Sequence, residues 1–196
     1  IPNAFHLSRD CDDDLDNYVV SIGEKEDLSD VKEYEVGNAN YLDLYNLKIG
    51  TQYYWTVKDA DSDIMSATAT FSIDDQPVRN LYIPGVTNSR DIGGLHTKSG
   101  AKIRQNLIFR TANADNITED GIKAMKDLGV KTEIDLRDSG TRSSSPVGND
   151  INYQVFKMYY NDYSNYLERN CEAVKNALEK IINDNDESET DSNIEE

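Results

Sequence analysis

The chain changes its secondary-structure pattern near residue 80, and this change constrains the fold more than any other feature of the sequence. Before it, YVVSIG (18–23), TQYYWTVKDA (51–60) and ATATFSI (67–73) are rich in β-branched and aromatic residues. These segments are separated by polar turns and lack helical periodicity, which predicts short strands. We therefore expect residues 1–76 to form an all-β sandwich.

One predicted strand of this first part has two clearly different faces. Tyr53, Trp55 and Val57 alternate with Gln52, Tyr54 and Thr56 in QYYWTV, so that one face can be buried. The run NLKIGTQYYWTV is similar to the leucine–glycine–tyrosine approach to the long central strand of fibronectin type III and immunoglobulin-like sandwiches. The resemblance covers roughly residues 14–74. The first strand of that fold is not evident, so we expect the module to lack it.

Helices alternate with strands after a predicted linker at 77–82, in which Pro77 breaks any strand. Thr118 is a suitable N-cap for a helix that carries two acids in its first turn and ends near Gly129. The segment VKTEIDLR (130–137) follows directly as a strand, and a helix that leads straight into a strand is typical of α/β folds. The apolar stripe of this helix consists of Ile122, Met125 and Leu128.

A second helix is predicted at about 164–182, with a stripe of apolar residues at helical spacing. The stripe consists of Leu167, Cys171, Val174, Leu178 and Ile181. The run at 183–196 contains seven acids and no Lys or Arg, so we expect an acidic tail or loop in contact with solvent. The sequence thus predicts an α+β protein of two domains, with the sandwich followed by part of an α/β domain at 83–182.

The composition argues against several classes of partner. The 196 residues include 37 acids and 20 bases, and the resulting formal charge of −17 opposes binding to nucleic acids and to anionic lipid. No apolar run approaches the length of a membrane span. The two histidines have no neighbouring ligands at the spacing of a metal site. We therefore expect no nucleic-acid partner, no membrane span and no cofactor.

Three motifs follow one another in the second part of the chain: NSRDIGGL (88–95), IRQNLIFRTA (103–112) and LGVKTEIDLRD (128–138). In order and spacing they resemble the opening half of the bacterial atypical tyrosine/serine phosphatases. That family has Asn-x-Arg-Asp-x-Gly-Gly, then a basic strand that ends in Arg-Ser or Arg-Thr, and then a helix followed by Lys-Thr-x-Ile-Asp-Leu-Arg. The resemblance covers about residues 80–160.

The resemblance implies a phosphomonoesterase in which a cysteine attacks phosphorus and water hydrolyses the resulting phosphocysteine. The family's thiolate lies at a helix N-terminus, and an arginine six positions later binds two phosphate oxygens. The implied substrate is a phosphotyrosine protein or another phosphomonoester, such as phosphoserine or a phosphoinositide. The implied site residues are Asp135 as a candidate general acid, and Arg90, Asp91, Arg110 and Arg137 as substrate-binding residues.

Each of these roles competes with a structural one. Asp135 lies near the C-terminal end of a predicted parallel strand, where ligand sites of α/β folds collect, but it could instead pair with Arg137 or Arg110. Arg90 and Asp91 could form a pair that orients a phosphate cradle beside the two glycines, or a salt-bridged turn that only braces the sheet. Both alternatives stay open on the sequence alone.

No cysteine of the chain has an arginine at the required distance. Six positions after Cys171 stands Ala177, and six positions after Cys11 stands Asn17. Cys171 lies on the apolar stripe, so we expect a small buried hydrophobe there. We favour a fragment of a longer phosphatase that is inactive alone; the alternative is a catalytically inactive surface or secreted binding protein. The sandwich-plus-phosphatase arrangement favours an extracellular or cell-surface location.

Overall fold

The computed structural model describes residues 2–8, 17–62, 64–159 and 165–191, with side chains as far as residue 184. Within these residues the fold is mixed and mostly sheet, with two helices, which is compatible with an α+β class. The strands are β1 (Phe5–Ser8), β2 (Tyr18–Gly23), β3 (Lys32–Gly37), β4 (Tyr41–Leu44), β5 (Gln52–Asp59), β6 (Ala69–Ser72), β7 (Arg90–Asp91), β8 (Phe109–Arg110), β9 (Thr132–Asp135) and β10 (Asn152–Val155). The helices are α1 (Glu119–Asp127) and α2 (Tyr166–Asp191).

The first of two compact units, here called the β-unit, comprises Ile1–Tyr82 and Gly94–Ile103. Its larger sheet is antiparallel, with the strand order β3-β2-β5-β6, and β1 pairs with β4 in a second antiparallel sheet. Apolar side chains from both sheets meet in one core, which gives each sheet a buried face. The buried members of this core are Leu7, Val20, Ile22, Leu44 and Tyr53.

Tyr53 fixes the entry of the chain into β5. Its hydroxyl accepts a hydrogen bond of 2.8 Å from the backbone N–H of Lys48, five residues earlier. Its ring stacks on Phe71 of β6, with the ring centroids 5.3 Å apart. Burial raises the pKa of Tyr53 to about 12. Trp55 and Val57 pack against the same core, as their alternation in the sequence predicts.

The sequence predicted only half of the strands in this unit. β2, β5 and β6 lie within the segments predicted to be strands. β1, β3 and β4 were missed because they are short or mostly exposed, so that polar residues interrupt their apolar pattern. Cys11 lies outside the described residues.

Residues 77–82 are packed into the β-unit, although the sequence suggested a linker there. Leu81 is buried, and so is the side chain of Arg79. The Arg79 guanidinium donates from Nε to the carbonyl of Leu47 at 3.0 Å, and the carboxamide of Asn46 accepts the backbone N–H of Tyr82 at 2.7 Å. An arginine can be buried here because backbone carbonyls satisfy its donors.

The second unit, here called the α/β-unit, comprises Ile83–Gly93 and Arg104–Glu196. β7 and β8 form an antiparallel ribbon, and β9 and β10 form a parallel pair. Helix α1 begins where the sequence predicts, because the Thr118 hydroxyl accepts the N–H of Gly121 at 3.2 Å. It ends before Gly129, whose φ of +76° suits glycine. Met125 and Leu128 of the predicted stripe are buried.

Helix α2 differs from its prediction in length and in its buried face. It continues to Asp191, so the acidic run is helical up to that residue rather than a loop. Leu167 and Leu178 are 70% and 54% exposed, and Cys171 is exposed as well. The prediction that Cys171 is buried is therefore wrong. Among the side chains of α2 that the structure describes, the buried ones are instead Asn170 and Ala177.

Asn170 explains which face of α2 turns inward. Its carboxamide accepts the backbone N–H of Tyr159 at 2.7 Å and donates to the carbonyls of Tyr159 and Tyr166. A buried amide with three hydrogen bonds holds that side of the helix against the preceding segment. Across the described part of the chain, no helix is long and apolar enough to cross a membrane.

Candidate active site

The NSRDIGGL segment forms β7 and the turn that follows it, and its aspartate is completely buried. Asp91 is 0% exposed, and its two carboxylate oxygens accept the backbone N–H groups of Gly93 at 2.7 Å and Asn106 at 2.8 Å. A carboxylate held by backbone donors fixes the path of the chain around it. Asp91 therefore braces the turn.

The glycine pair brings two backbone segments together. A Cβ atom on Gly93 would lie 2.4 Å from the Cα of Gln105 and 2.5 Å from the carbonyl oxygen of Arg104. Such distances are far below van der Waals contact, so only glycine fits at this position. The close approach at Gly93 is thus to the protein's own chain.

Arg90 does not pair with Asp91, because neighbouring residues of a strand point to opposite faces. Its Nη1 donates to the Asn88 carboxamide at 2.7 Å, and Asn88 has a positive φ of 55°, which asparagine tolerates better than most residues. Directly across the ribbon from Arg90 lies Arg110. Arg110 is exposed, and among the described residues its side chain makes no hydrogen bond and no ion pair.

Asp135 is the last residue of β9, and its carboxylate is buried among hydrogen-bond donors. Arg137 donates to it from the backbone N–H at 3.0 Å, from Nε at 3.0 and 3.1 Å and from Nη2 at 2.7 Å. Tyr153, on the neighbouring strand β10, donates its hydroxyl to Asp135 Oδ2 at 2.7 Å. Asp135 thus pairs with Arg137, one of the two partners that the sequence suggested.

These contacts determine the charge of Asp135. Burial by itself raises the pKa of this carboxyl, but the hydrogen bonds from Arg137 and Tyr153 outweigh it and lower the pKa to about 2. The hydrogen bonds to Asp135 and then to Asp115 raise the pKa of Arg137 above its ordinary value. Burial and the bond to Asp135 raise the pKa of Tyr153, so its hydroxyl stays protonated and can donate. Asp135 is consequently an anion at neutral pH in this arrangement.

Three further charged residues belong to this cluster, and the sequence analysis identified none of them as site residues. Asp115, in the loop before α1, accepts from Nη1 of Arg137 at 2.6 Å and also bonds Nη1 of Arg142. The hydrogen bond from Arg137 is the main cause of the lowered pKa of Asp115. Arg142 also bonds Glu133, whose other oxygen accepts the Ser145 hydroxyl at 2.6 Å. We call this group the Asp135 cluster: Glu133, Asp135, Asp115, Arg137, Arg142, Tyr153 and Ser145.

The Asp135 cluster has three carboxylates and two guanidinium groups, so it carries one more negative than positive charge when all are ionised. Arg137 directs all three of its nitrogens at carboxylates. These side chains form a network of ion pairs at the C-terminal end of β9. Both guanidinium groups already bond carboxylates, although the buried Nε of Arg142 has no hydrogen-bond partner among the described residues. Within the described residues no group of His, Cys, Asp and Glu could hold a metal ion.

The structure therefore divides the five predicted site residues into three places of the α/β-unit. Asp135 and Arg137 bond each other, Arg90 and Arg110 face each other across the ribbon, and Asp91 is buried beneath the turn. Their catalytic and binding roles stay predictions.

Comparison with known proteins adds an independent line of information. A relative from Cupriavidus necator, described as "Putative tyrosine-protein phosphatase", is 27% identical over 84 residues, which are 43% of this chain and 30% of the relative. The chain thus spans less than a third of that protein's length. No solved structure matches the chain. The sequence profile of the tyrosine phosphatase family matches residues 81–194, which is more than half of the chain. This chain therefore belongs to the tyrosine phosphatase family.

Proposed function

We propose that this chain is the N-terminal portion of a protein-tyrosine phosphatase that acts through a cysteinyl-phosphate intermediate. The family match over residues 81–194 supports hydrolysis of a phosphoric monoester as the type of reaction. The observation that carries the proposal is the sequence itself, which has the family's three ordered motifs but no Cys-x-x-x-x-x-Arg. The nucleophile and its phosphate loop would then be supplied by residues beyond these 196.

The environment of Cys171 supports this proposal. A nucleophilic thiol needs a site that stabilises the thiolate, such as the free N–H groups of a helix N-terminus. Cys171 lies in the second turn of α2 and is exposed, and Ala177 stands where the phosphate-binding arginine would be required. Cys171 therefore lacks both parts of the phosphate cradle, and we expect this chain alone to be inactive.

Asp135 can act as the general acid only if its carboxylate first takes up a proton. A general acid must carry a proton at the operating pH, whereas the Arg137 and Tyr153 bonds keep Asp135 ionised. Proton donation by Asp135 would require substrate or the catalytic loop to displace Arg137 from the carboxylate. Without that displacement, Asp135 would position Arg137 and the end of β9.

We propose further that the β-unit is a fibronectin type III or immunoglobulin-like module. The pairing of β1 with β4, opposite the sheet β3-β2-β5-β6, is what such a sandwich would have if its first strand were missing. The bond between the Tyr53 hydroxyl and the backbone of Lys48 supports the proposal independently. It has the geometry of the tyrosine corner, in which a tyrosine near the start of a strand bonds the backbone a few residues upstream.

Trapping of the intermediate tests the proposed reaction. The coding region downstream of Glu196 would be sequenced, and the longer polypeptide would be expressed, incubated with phenyl phosphate and quenched in acid. Mass spectrometry should find phosphate on a cysteine that is followed by arginine six positions later, and replacement of that cysteine by serine should abolish the adduct. A stop codon directly after Glu196, or turnover without a cysteine adduct, would rule out the proposal; the stop codon would favour the binding protein.

A further inference from the structure

The β7–β8 ribbon places two arginines of like charge next to each other on its accessible face. Arg90 and Arg110 are directly opposed in the antiparallel register. The fully buried Asp91 shows which face of the ribbon is inside, so Arg90 and Arg110 share the other face. Directly opposed residues have Cβ atoms about 5 Å apart, and like charges in this position repel each other.

No carboxylate of the described chain offsets this repulsion. The protein has 37 acids and 20 bases, so carboxylates outnumber the cations with which they could pair. Arg137 and Arg142 both have such partners in the Asp135 cluster. Arg90 bonds the neutral carboxamide of Asn88, and Arg110 has no side-chain partner among the described residues.

The donors that remain on this face match an anion with several oxygens. Arg90 uses Nη1 to bond Asn88, which fixes the guanidinium, and its Nε and Nη2 have no partner among the residues that the structure describes. All five N–H donors of Arg110 are available among the described residues. Two planar guanidinium forks can bind different oxygens of one tetrahedral phosphate, and the second negative charge of a dianion would offset the second arginine.

We propose that Arg90 and Arg110 form an anion site that binds the dianion of a phosphate monoester, and that this chain binds such esters without the nucleophilic cysteine. The proposal rests on the proposed function only for the choice of a phosphate ester as ligand. Arg110 is exposed and Arg90 is partly exposed, so the site would accept a phosphate carried by a protruding side chain. Arg137 is not part of it, because its donors already face carboxylates.

The test is a titration of the folded 196-residue chain with phenyl phosphate at low ionic strength. Binding is measured by isothermal titration calorimetry and by shifts of the arginine Nε–H signals in NMR spectra. Because the second pKa of a phosphate monoester is about 6, binding should be several-fold tighter at pH 7.5 than at pH 5. Phenyl sulfate, which is only a monoanion, should bind more weakly at both pH values.

Four variants test the site. Arg90→Gln and Arg110→Gln should each weaken binding of phenyl phosphate about tenfold, since each removes charge-assisted hydrogen bonds. Arg169→Gln makes the same charge change at an exposed arginine of α2 and should leave binding within about twofold. Arg110→Lys keeps the charge but loses the fork, so it should lie between the wild type and Arg110→Gln.

Absence of binding, binding that neither glutamine variant weakens, or an equal loss in Arg169→Gln would overturn this inference. The outcome is separable from that of the proposed reaction. A longer polypeptide that forms the phosphocysteine, while this chain fails to bind phenyl phosphate, contradicts only the arginine site. Binding to Arg90 and Arg110 without any phosphocysteine in the longer polypeptide contradicts only the reaction.

Discussion

Replacement of Asp135 by asparagine should destabilise the α/β-unit by an amount that depends on pH. The carboxyl has an ordinary pKa of 3.8 and a pKa of about 2 in the fold, so its ionised form is favoured by folding. A difference of this size corresponds to about 2 kcal/mol of stability at neutral pH. The side chain is only 5% exposed, so solvent screens this contribution little.

The pH dependence has a definite sign. Because the pKa is lowered in the fold, the contribution is fully present above the pKa of the unfolded chain and disappears as the pH falls through the folded value. The cost of Asp135→Asn should therefore be about 2 kcal/mol at pH 7 and about 1 kcal/mol at pH 3, from the two pKa values. A carboxyl that carries a proton as a general acid would behave in the opposite way.

Urea unfolding at pH 3 and pH 7 measures this difference. Circular dichroism at 222 nm monitors the α/β-unit, because both helices belong to it, whereas fluorescence of Trp55, the single tryptophan, monitors the β-unit. Asp138→Asn is the matched control, since within the described part of the chain Asp138 bonds only the neighbouring Ser139 hydroxyl. It should cost less than about 0.5 kcal/mol. An Asp135→Asn cost that is constant or larger at pH 3 would refute the assigned ionisation.

Three other measurements test parts of the fold. Gly93→Ala should lower the free energy of unfolding in urea by at least about 2 kcal/mol, because its Cβ would lie 2.4 Å from a backbone carbon. Gly100→Ala, in open space at φ +86°, should lower it by only about 1 kcal/mol. Equal losses would contradict the close contact at Gly93. Thr118→Ala should lower the free energy of unfolding by about 1 kcal/mol, measured by urea unfolding with circular dichroism. Thr118→Ser should keep most of this stability, since serine also caps helices. In a Cys11→Ser background, Cys171 should react with a thiol reagent in the native protein as fast as in urea, and strong protection would contradict its exposure.

Local sequence signals predicted the elements that depend on neighbouring residues. The Thr118 cap and Gly129 stop predicted α1, because capping acts within one helical turn. β-branched and aromatic runs predicted β2 and β5, which lie in the middle of the larger sheet. The segment that contains β9 was predicted as a strand, and β9 has a parallel neighbour in β10.

Features that depend on distant residues could not be read from the sequence. The opposition of Arg90 and Arg110 follows from strand register, which no local pattern specifies for two strands of two residues each. Asp115 and Arg142 are 27 residues apart and meet only in the folded chain. The apolar stripe of α2 gave the wrong buried face because the hydrogen bonds of Asn170, a polar residue, decide it.

The central claim is that this chain carries part of a tyrosine phosphatase without the group that performs the chemistry. The most direct measurement compares phosphate release from p-nitrophenyl phosphate by the 196-residue chain and by the longer polypeptide that the proposed function predicts. We predict no release above the uncatalysed rate for the chain and turnover for the longer polypeptide. Turnover by the 196-residue chain alone, or absence of turnover by the longer polypeptide, would contradict the account.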